Sequence, residues 1–195
     1  MSSNLFSFGQ LSKSNFPSRI ILDTNFVLNL THSCTNHPTG RNVRDCTDFV
    51  KSLIYDGCEI FIPQIVINEF CHQVFLNVLS EYIHKNNLKI NKVELYKQKP
   101  HLIAPGHVQI KNALDMMDKI IATVDLKEEG IKVRDRAIAI MQKYHFLPSD
   151  AFISAVALEN GIYSIASQDV YFAMNIAKEK SMRVFMPEAL LKRKR

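Results

Sequence analysis

The chain has 195 residues, of which 47% are hydrophobic and 22% charged. That describes an ordinary globular protein long enough for one domain with a sizeable core. No run of 18 apolar residues is present and the start lacks a basic segment followed by a long apolar core. A membrane span and a signal peptide are therefore not expected, and an internal, cytoplasmic setting is. The formal net charge is +5, but the terminal run Lys192-Arg193-Lys194-Arg195 supplies four of those charges. The basic balance thus reads as a local tail rather than a general affinity for nucleic acid.

Residues 1–17 carry Ser, Asn and several Phe, and read as an extension that docks a Phe or two on the body. Arg19-Ile20-Ile21-Leu22 then runs into Asp23-Thr24-Asn25. A short apolar run ended by polar residues predicts a buried strand of a parallel sheet. Ligands of open α/β sheets sit beyond the carboxyl ends of such strands, which is where Asp23 stands. A short apolar helix turn follows over 25–30, then a loop over Thr31 to Asn42 rich in His, Pro, Gly and Asn.

Val43, Cys46, Phe49, Val50, Leu53 and Ile54 recur at helical spacing, and this helix ends near Asp56-Gly57. A second strand at Phe61-Ile62 leads through Pro63, in the first turn of a helix, to Glu69 and on to about His84. Residues 86–106 are polar and interrupted by prolines, a long and partly helical connection. Helices are predicted over 108–124, with Ile110, Leu114, Met117 and Ile121 on one face, and over 132–145, with Val133, Ala137, Ile140 and Met141 inward. Pro148-Ser149-Asp150 opens another helix, with Ser149 as its cap and Asp150 in the first turn. Ile162 to Ala166 is a strand that ends towards Asp169, and Arg183 to Met186 is the last strand.

The four cysteines, Cys34, Cys46, Cys58 and Cys71, form no C-x-x-C pair. Reduced thiols are expected, and a zinc site built from His32, Cys34, His37 and Cys46 has irregular spacing against it. His72 and His145 read as core or surface histidines rather than general bases. Lys97, Lys99 and Lys111 read as a solvated face rather than phosphate contacts.

Four carboxylates, Asp23, Glu69, Asp150 and Asp169, thus fall at strand ends or near helix starts. In this order and setting the sequence resembles the PIN-domain ribonucleases. The resemblance is carried by Leu22-Asp23-Thr24-Asn25, by Glu69 on an early helix, and most specifically by the segment from Ser149-Asp150-Ala151-Phe152 to Asp169-Val170-Tyr171-Phe172. That last segment is similar to the corresponding part of VapC-type toxins. The resemblance covers the strands and both ends, and covers the middle poorly. Glu69 and Asp150 are 81 positions apart, more than in small PIN toxins. The expected organisation is a single PIN-like nuclease domain over 1–195 with a helical elaboration at about 72–147.

What the resemblance implies is a three-layer α/β/α sandwich around a central, mainly parallel sheet of four or five strands. It implies a metal-dependent ribonuclease using Mg²⁺ or Mn²⁺, with 5′-phosphate and 3′-hydroxyl products. Asp23, Glu69, Asp150 and Asp169 are the expected catalytic and metal-binding residues, with Asp23 and Asp150 the best direct ligands. Divalent ions of this kind take oxygen ligands, and acids from separate elements can hold one or two of them. Thr24, Asn25 and Ser167 are expected to orient the acids. RNA is the expected substrate, and an antitoxin protein and a homodimer are the expected protein partners. The choice between a toxin and an RNA-processing enzyme stays open. The alternative reading is a catalytically silent PIN-like module that binds RNA or protein. A phosphatase or receiver-type domain is disfavoured, because Asn25 stands where a D-x-D phosphatase carries its second acid.

Overall fold

The computed structural model describes residues 4–12, 16–31, 40–122 and 126–192. Five strands form one sheet: β1 (Leu5–Ser7), β2 (Arg19–Leu22), β3 (Glu59–Phe61), β4 (Ser164–Ala166) and β5 (Arg183–Met186). Their order is β1-β5-β4-β2-β3, and every pairing is parallel. Ile20, Ile21 and Leu22 are wholly buried, as are Ile165, Ala166, Val184 and Phe185. Strands covered on both faces need continuous apolar runs, which these short segments provide.

Nine α-helices are described: α1 (Thr24–Leu30), α2 (Gly40–Tyr55), α3 (Gln64–Lys85), α4 (Lys92–Gln98), α5 (Ala104–Met117), α6 (Ile131–Tyr144), α7 (Pro148–Glu159), α8 (Val170–Ile176) and α9 (Glu188–Lys192). The chain leaves β2 for β3 in one direction and crosses back past β2 to reach β4 and β5. Right-handed crossovers then put α2 on one face of the sheet and α3 to α8 on the other, the expected three layers. The direction of winding reverses between β2 and β4. Their carboxyl ends therefore open a crevice at the centre of the sheet.

The N-terminal extension contributes more than docked rings. Leu5 pairs with Val184 and Ser7 with Met186, so it is an edge strand. Three residues followed at once by a 3-10 turn over Phe8–Gln10 give too short a pattern to read as a strand. Phe6 stacks on Phe185, and Phe8 stacks on Phe49 with ring centroids 4.3 Å apart.

Several boundaries move. Helix α2 starts at Gly40, inside the expected loop, whose residues 32–39 lie outside the described residues. Ile54 is half exposed, because it sits one position off the stripe that buries Leu53. Pro63 is the N-cap of α3 and not a first-turn residue. Its side chain makes no capping bond, and Glu128 instead accepts the Gln64 N–H at 2.6 Å. Helix α5 ends at Met117 rather than 124, and the connection before it resolves into α4, a 3-10 turn over Pro100–Ile103 and the start of α5. His145 closes α6 in the left-handed region at φ 56° and is exposed, a terminator rather than a base. Cys46, Cys58 and Cys71 are free thiols, while Cys34 lies outside the described residues, as do His32, His37 and residues 193–195 of the basic tail.

Candidate active site

The strand register builds the centre of the site. Leu22 is paired with Ala166, so the next residues, Asp23 and Ser167, emerge side by side beyond the sheet. The Asp23 N–H donates to the Ala166 carbonyl at 3.1 Å and carries the ladder one step further. Ser167 Oγ donates to Asp23 Oδ2 and accepts the Asp169 N–H at 3.0 Å. One buried hydroxyl thus couples the two strand-end acids.

Asp23 and Asp169 are both helix N-caps. Asp23 Oδ1 accepts the Phe26 N–H at 2.7 Å and starts α1, while Asp169 Oδ1 accepts the Phe172 N–H at 2.9 Å and starts α8. Asp23 therefore has a local structural role as a cap beside its place in the cleft. Asp150 is the third residue of α7, whose N-cap is Leu147 and not Ser149, because Pro148 already occupies the first helical position. Glu69 lies on the second turn of α3, and its Oε2 accepts the Thr24 hydroxyl at 2.6 Å.

All four acids line one cleft of about 310 Å³, together with Thr24, Asn25, Gln73, Asn77, Leu147 and Ser149. Its electrostatics follow from this crowding. Asp23 is only 4% exposed, and burial pushes its carboxyl up from 3.8 to about 7. The bonds from Ser167 and Phe26 pull it down, and the charges of Asp169 and Asp150 push it up again. Burial also raises Asp150 to about 6, with Asp169 and Glu69 adding to the rise. Acids with raised values facing one another across a cleft are a physical mark of a functional site.

Of the orienting residues, Ser167 holds Asp23, and Thr24 holds Glu69 rather than its neighbour. Asn25 lines the cleft and is engaged through its carbonyl, which accepts from Asn29 Nδ2 at 2.9 Å. Asn29 itself does not stand out in the sequence. It is buried and donates to Gln168 Oε1 at 2.9 Å, which ties α1 to the turn after β4. Gln168 in turn donates to Cys46 Sγ, whose thiol burial drives up to about 12 and so keeps inert. Sequence reasoning also misses Gln73 and Asn77. They follow Glu69 at intervals of four on α3, a polar stripe that in sequence reads as a solvated helix face.

The donors in the cleft are oxygens and amides, with no thiol or imidazole among them. That set suits a hard divalent cation. Among the described residues no three His, Cys, Asp or Glu side chains come close enough together to cage an ion by themselves. Mg²⁺ keeps several waters and takes one or two carboxylates from a protein, so an open acid-lined cleft accommodates it without such a cage.

Comparison with known proteins adds the family. No curated protein gives a match. Among solved structures, the crystal structure of FitAcB from Neisseria gonorrhoeae aligns over 85% of this chain and 96% of that one, with 17% identity and a TM-score of 0.45. That likeness is too distant to carry a functional inference. The family described as PIN domain matches residues 20–174, which spans the sheet from β2 to β4 and all four acids. The chain that places Asp23, Glu69, Asp150 and Asp169 around one cleft belongs to the PIN-domain family.

Proposed function

We propose that this protein is a metal-dependent endoribonuclease whose cleft hydrolyses RNA phosphodiester bonds. The observation that carries the reading is the meeting of four carboxylates, from four separate elements, in one cleft at the reversal point of the sheet. Asp23 and Asp150 would hold Mg²⁺ or Mn²⁺ directly, and Glu69 and Asp169 would complete the shell, directly or through water. Bound there, the ion supplies an activated water and charge relief at the phosphate.

The chain's own residues do the positioning. Ser167 and the Phe26 N–H fix both oxygens of Asp23, so its carboxylate plane cannot swing. Thr24 fixes one oxygen of Glu69, whose side chain lines the cleft. Burial and the charges of Asp169 and Glu69 raise Asp150 to about 6, a crowding of acids that a bound cation would relieve. The exposed Leu147 and the polar stripe of α3 both line the cleft in which a strand would lie.

The test is incubation of a mixed RNA pool with the protein in Mg²⁺ or Mn²⁺ and in chelator. Cleavage that needs the ion, leaves 5′-phosphates and disappears in Asp23→Asn is expected. Cleavage indifferent to chelator, or an Asp23→Asn variant that cuts at the wild-type rate, overturns the assignment. No cleavage under any condition favours the silent binding module. An antitoxin-like partner and a homodimer belong to the same proposal. Exposed Val108, Ile131 and Ile138 support the dimer, and light scattering that gives a monomer at micromolar concentration counts against it.

A further inference from the structure

The lysines outside the tail are not evenly spread. Residues 84–111 carry six of them, Lys85, Lys89, Lys92, Lys97, Lys99 and Lys111, against one acid, Glu94. Among the described residues none of the six takes part in an ion pair. Five are exposed and Lys92 is half-buried. The nearest acids in sequence are Glu81, one turn before Lys85 on α3, and Glu94 on α4, and the four acids of the cleft lie outside the stretch. A stretch carrying six lysines outside any described ion pair is an electrostatic footprint that attracts a polyanion.

A groove runs through this set. It has a volume of about 640 Å³ and is lined by Ser80, Ile83, His84, Asn87, Leu88, Ile90, Asn91 and Lys92, where the end of α3 meets the start of α4. Lys85 and Lys89 stand in the same stretch. The lining mixes apolar floor with amide, hydroxyl and imidazole groups. That combination suits a nucleobase laid flat, with its edges hydrogen-bonded and its phosphates on the rim lysines.

The groove and the cleft are both lined from one helix. Glu69, Gln73 and Asn77 face the cleft, and Ser80 and His84 face the groove, all from α3. Asn77 and His84 are seven residues apart, two turns, so they lie on one face and about 10.5 Å apart along the axis. A strand held at the acids needs only a few nucleotides to reach the lysines.

We propose that the groove between α3 and α4 is a second RNA subsite, which holds the single strand that flanks the bond placed at the acids. This rests on reading the cleft as a ribonuclease centre. The positive end anchors phosphates that the acidic cleft alone repels. RNA is favoured over an acidic protein segment because the groove shares one face of α3 with the cleft and its lining is rich in groups that read base edges.

The test uses the full chain carrying Asp23→Asn, so that no strand is cut. Binding of single-stranded RNA of roughly four and roughly twelve nucleotides is measured across a range of salt. The longer strand is expected to bind tighter. Replacing Lys85, Lys89 and Lys92 by Gln weakens the longer strand about tenfold or more. The salt slope falls by about 2, at about 0.7 for each phosphate no longer neutralised. The short strand is affected much less, and Lys180→Gln serves as a control that changes neither. Circular dichroism and thermal unfolding establish that the triple variant is folded. Equal affinities for the two lengths, or an unchanged salt slope in the triple variant, overturns the subsite. So does a polyglutamate peptide that competes as well as RNA, which marks the groove as a protein-docking surface. Length- and lysine-dependent binding by a protein that cuts nothing leaves the subsite standing and removes only the nuclease reading.

Discussion

Asp23 caps a helix and lines the cleft at once, and the two roles pull on its charge in opposite directions. The capping bond favours the carboxylate, and burial beside other acids favours the neutral acid. Burial wins, so the folded protein holds a proton on Asp23 that the unfolded chain gives up. Between the ordinary value of 3.8 and about 7 the folded state binds more protons, so stability falls as pH rises through this window. At full effect a shift of that size corresponds to about 4 kcal/mol, a ceiling that water and counter-ions lower. Asp150, raised for the same first reason, adds to the fall in the same direction. Thermal unfolding in chelator is expected to show a lower midpoint at about pH 8 than at about pH 5. In Asp23→Asn that difference shrinks, and the variant is more stable than wild type near neutrality by about 1 kcal/mol, the repulsion of close acids being partly screened. The amide keeps the Phe26 bond through its carbonyl oxygen. Mg²⁺ at ten times its dissociation constant then stabilises wild type by about 1.4 kcal/mol and the variant much less, reversing the order. A variant less stable than wild type in chelator would make Asp23 a structural cap whose charge the fold needs.

At the scale of elements, α5 packs tightly on α3 at Gly106. A Cβ added at Gly106 would stand 2.8 Å from Phe75 Cδ1 and 3.2 Å from Cε1, inside contact distance of a ring already edge-on to His107. Gly106→Ala is therefore expected to destabilise. Overpacking costs about 1–3 kcal/mol, and helix propensity returns up to about 1, leaving a net loss of about 1 kcal/mol in urea unfolding. An equal or more stable variant would mean that Phe75 turns aside freely. Packing of this kind also separates what could be read in the sequence from what could not. Strand-end acids, the inward stripe of α6 and the first-turn place of Asp150 on α7 follow from neighbours along the chain, and these are where local pattern puts them, although the cap of α7 is Leu147 and not Ser149. The three-residue β1, the end of α5 and the roles of Asn29, Gln73 and Asn77 depend on partners far away in sequence. Asn29 meets Gln168 across 139 positions and Ser167 meets Asp23 across 144, distances over which no periodicity speaks.

For the whole molecule, the order β1-β5-β4-β2-β3 separates a centre from a rim. The centre, β4-β2, leads into Asp23 and Asp169 and is almost wholly buried, so its residue types are strongly constrained and legible. No helix among the described residues is long and apolar enough to cross a membrane, and the charged face falls on α3 to α5 rather than on the sheet. The net charge therefore has two sources and not one: the tail, and the lysines of 84–111, which the sequence alone presents as a solvated face.

The edge pairing of Leu5 with Val184 has a consequence for the order of folding. Those residues are separated by nearly the whole chain, so their pairing closes a loop of almost its full length. It brings the least local reward for the entropy spent. The edge strand is then a late event, docking on a sheet already assembled around β2 and β4. Phe6→Ala, which removes the ring stacked on Phe185, should quicken unfolding while leaving the refolding rate nearly unchanged, since a late contact is absent from the transition state. Stopped-flow measurement of both rates checks this, and a slowed refolding limb would place the edge in the nucleus. A chain emerging in order from its N-terminus must keep Phe6 waiting until Phe185 has been made, whereas Phe8 meets its partners Phe26 and Phe49 early. For all of that interval, Phe6 has no sheet edge to join.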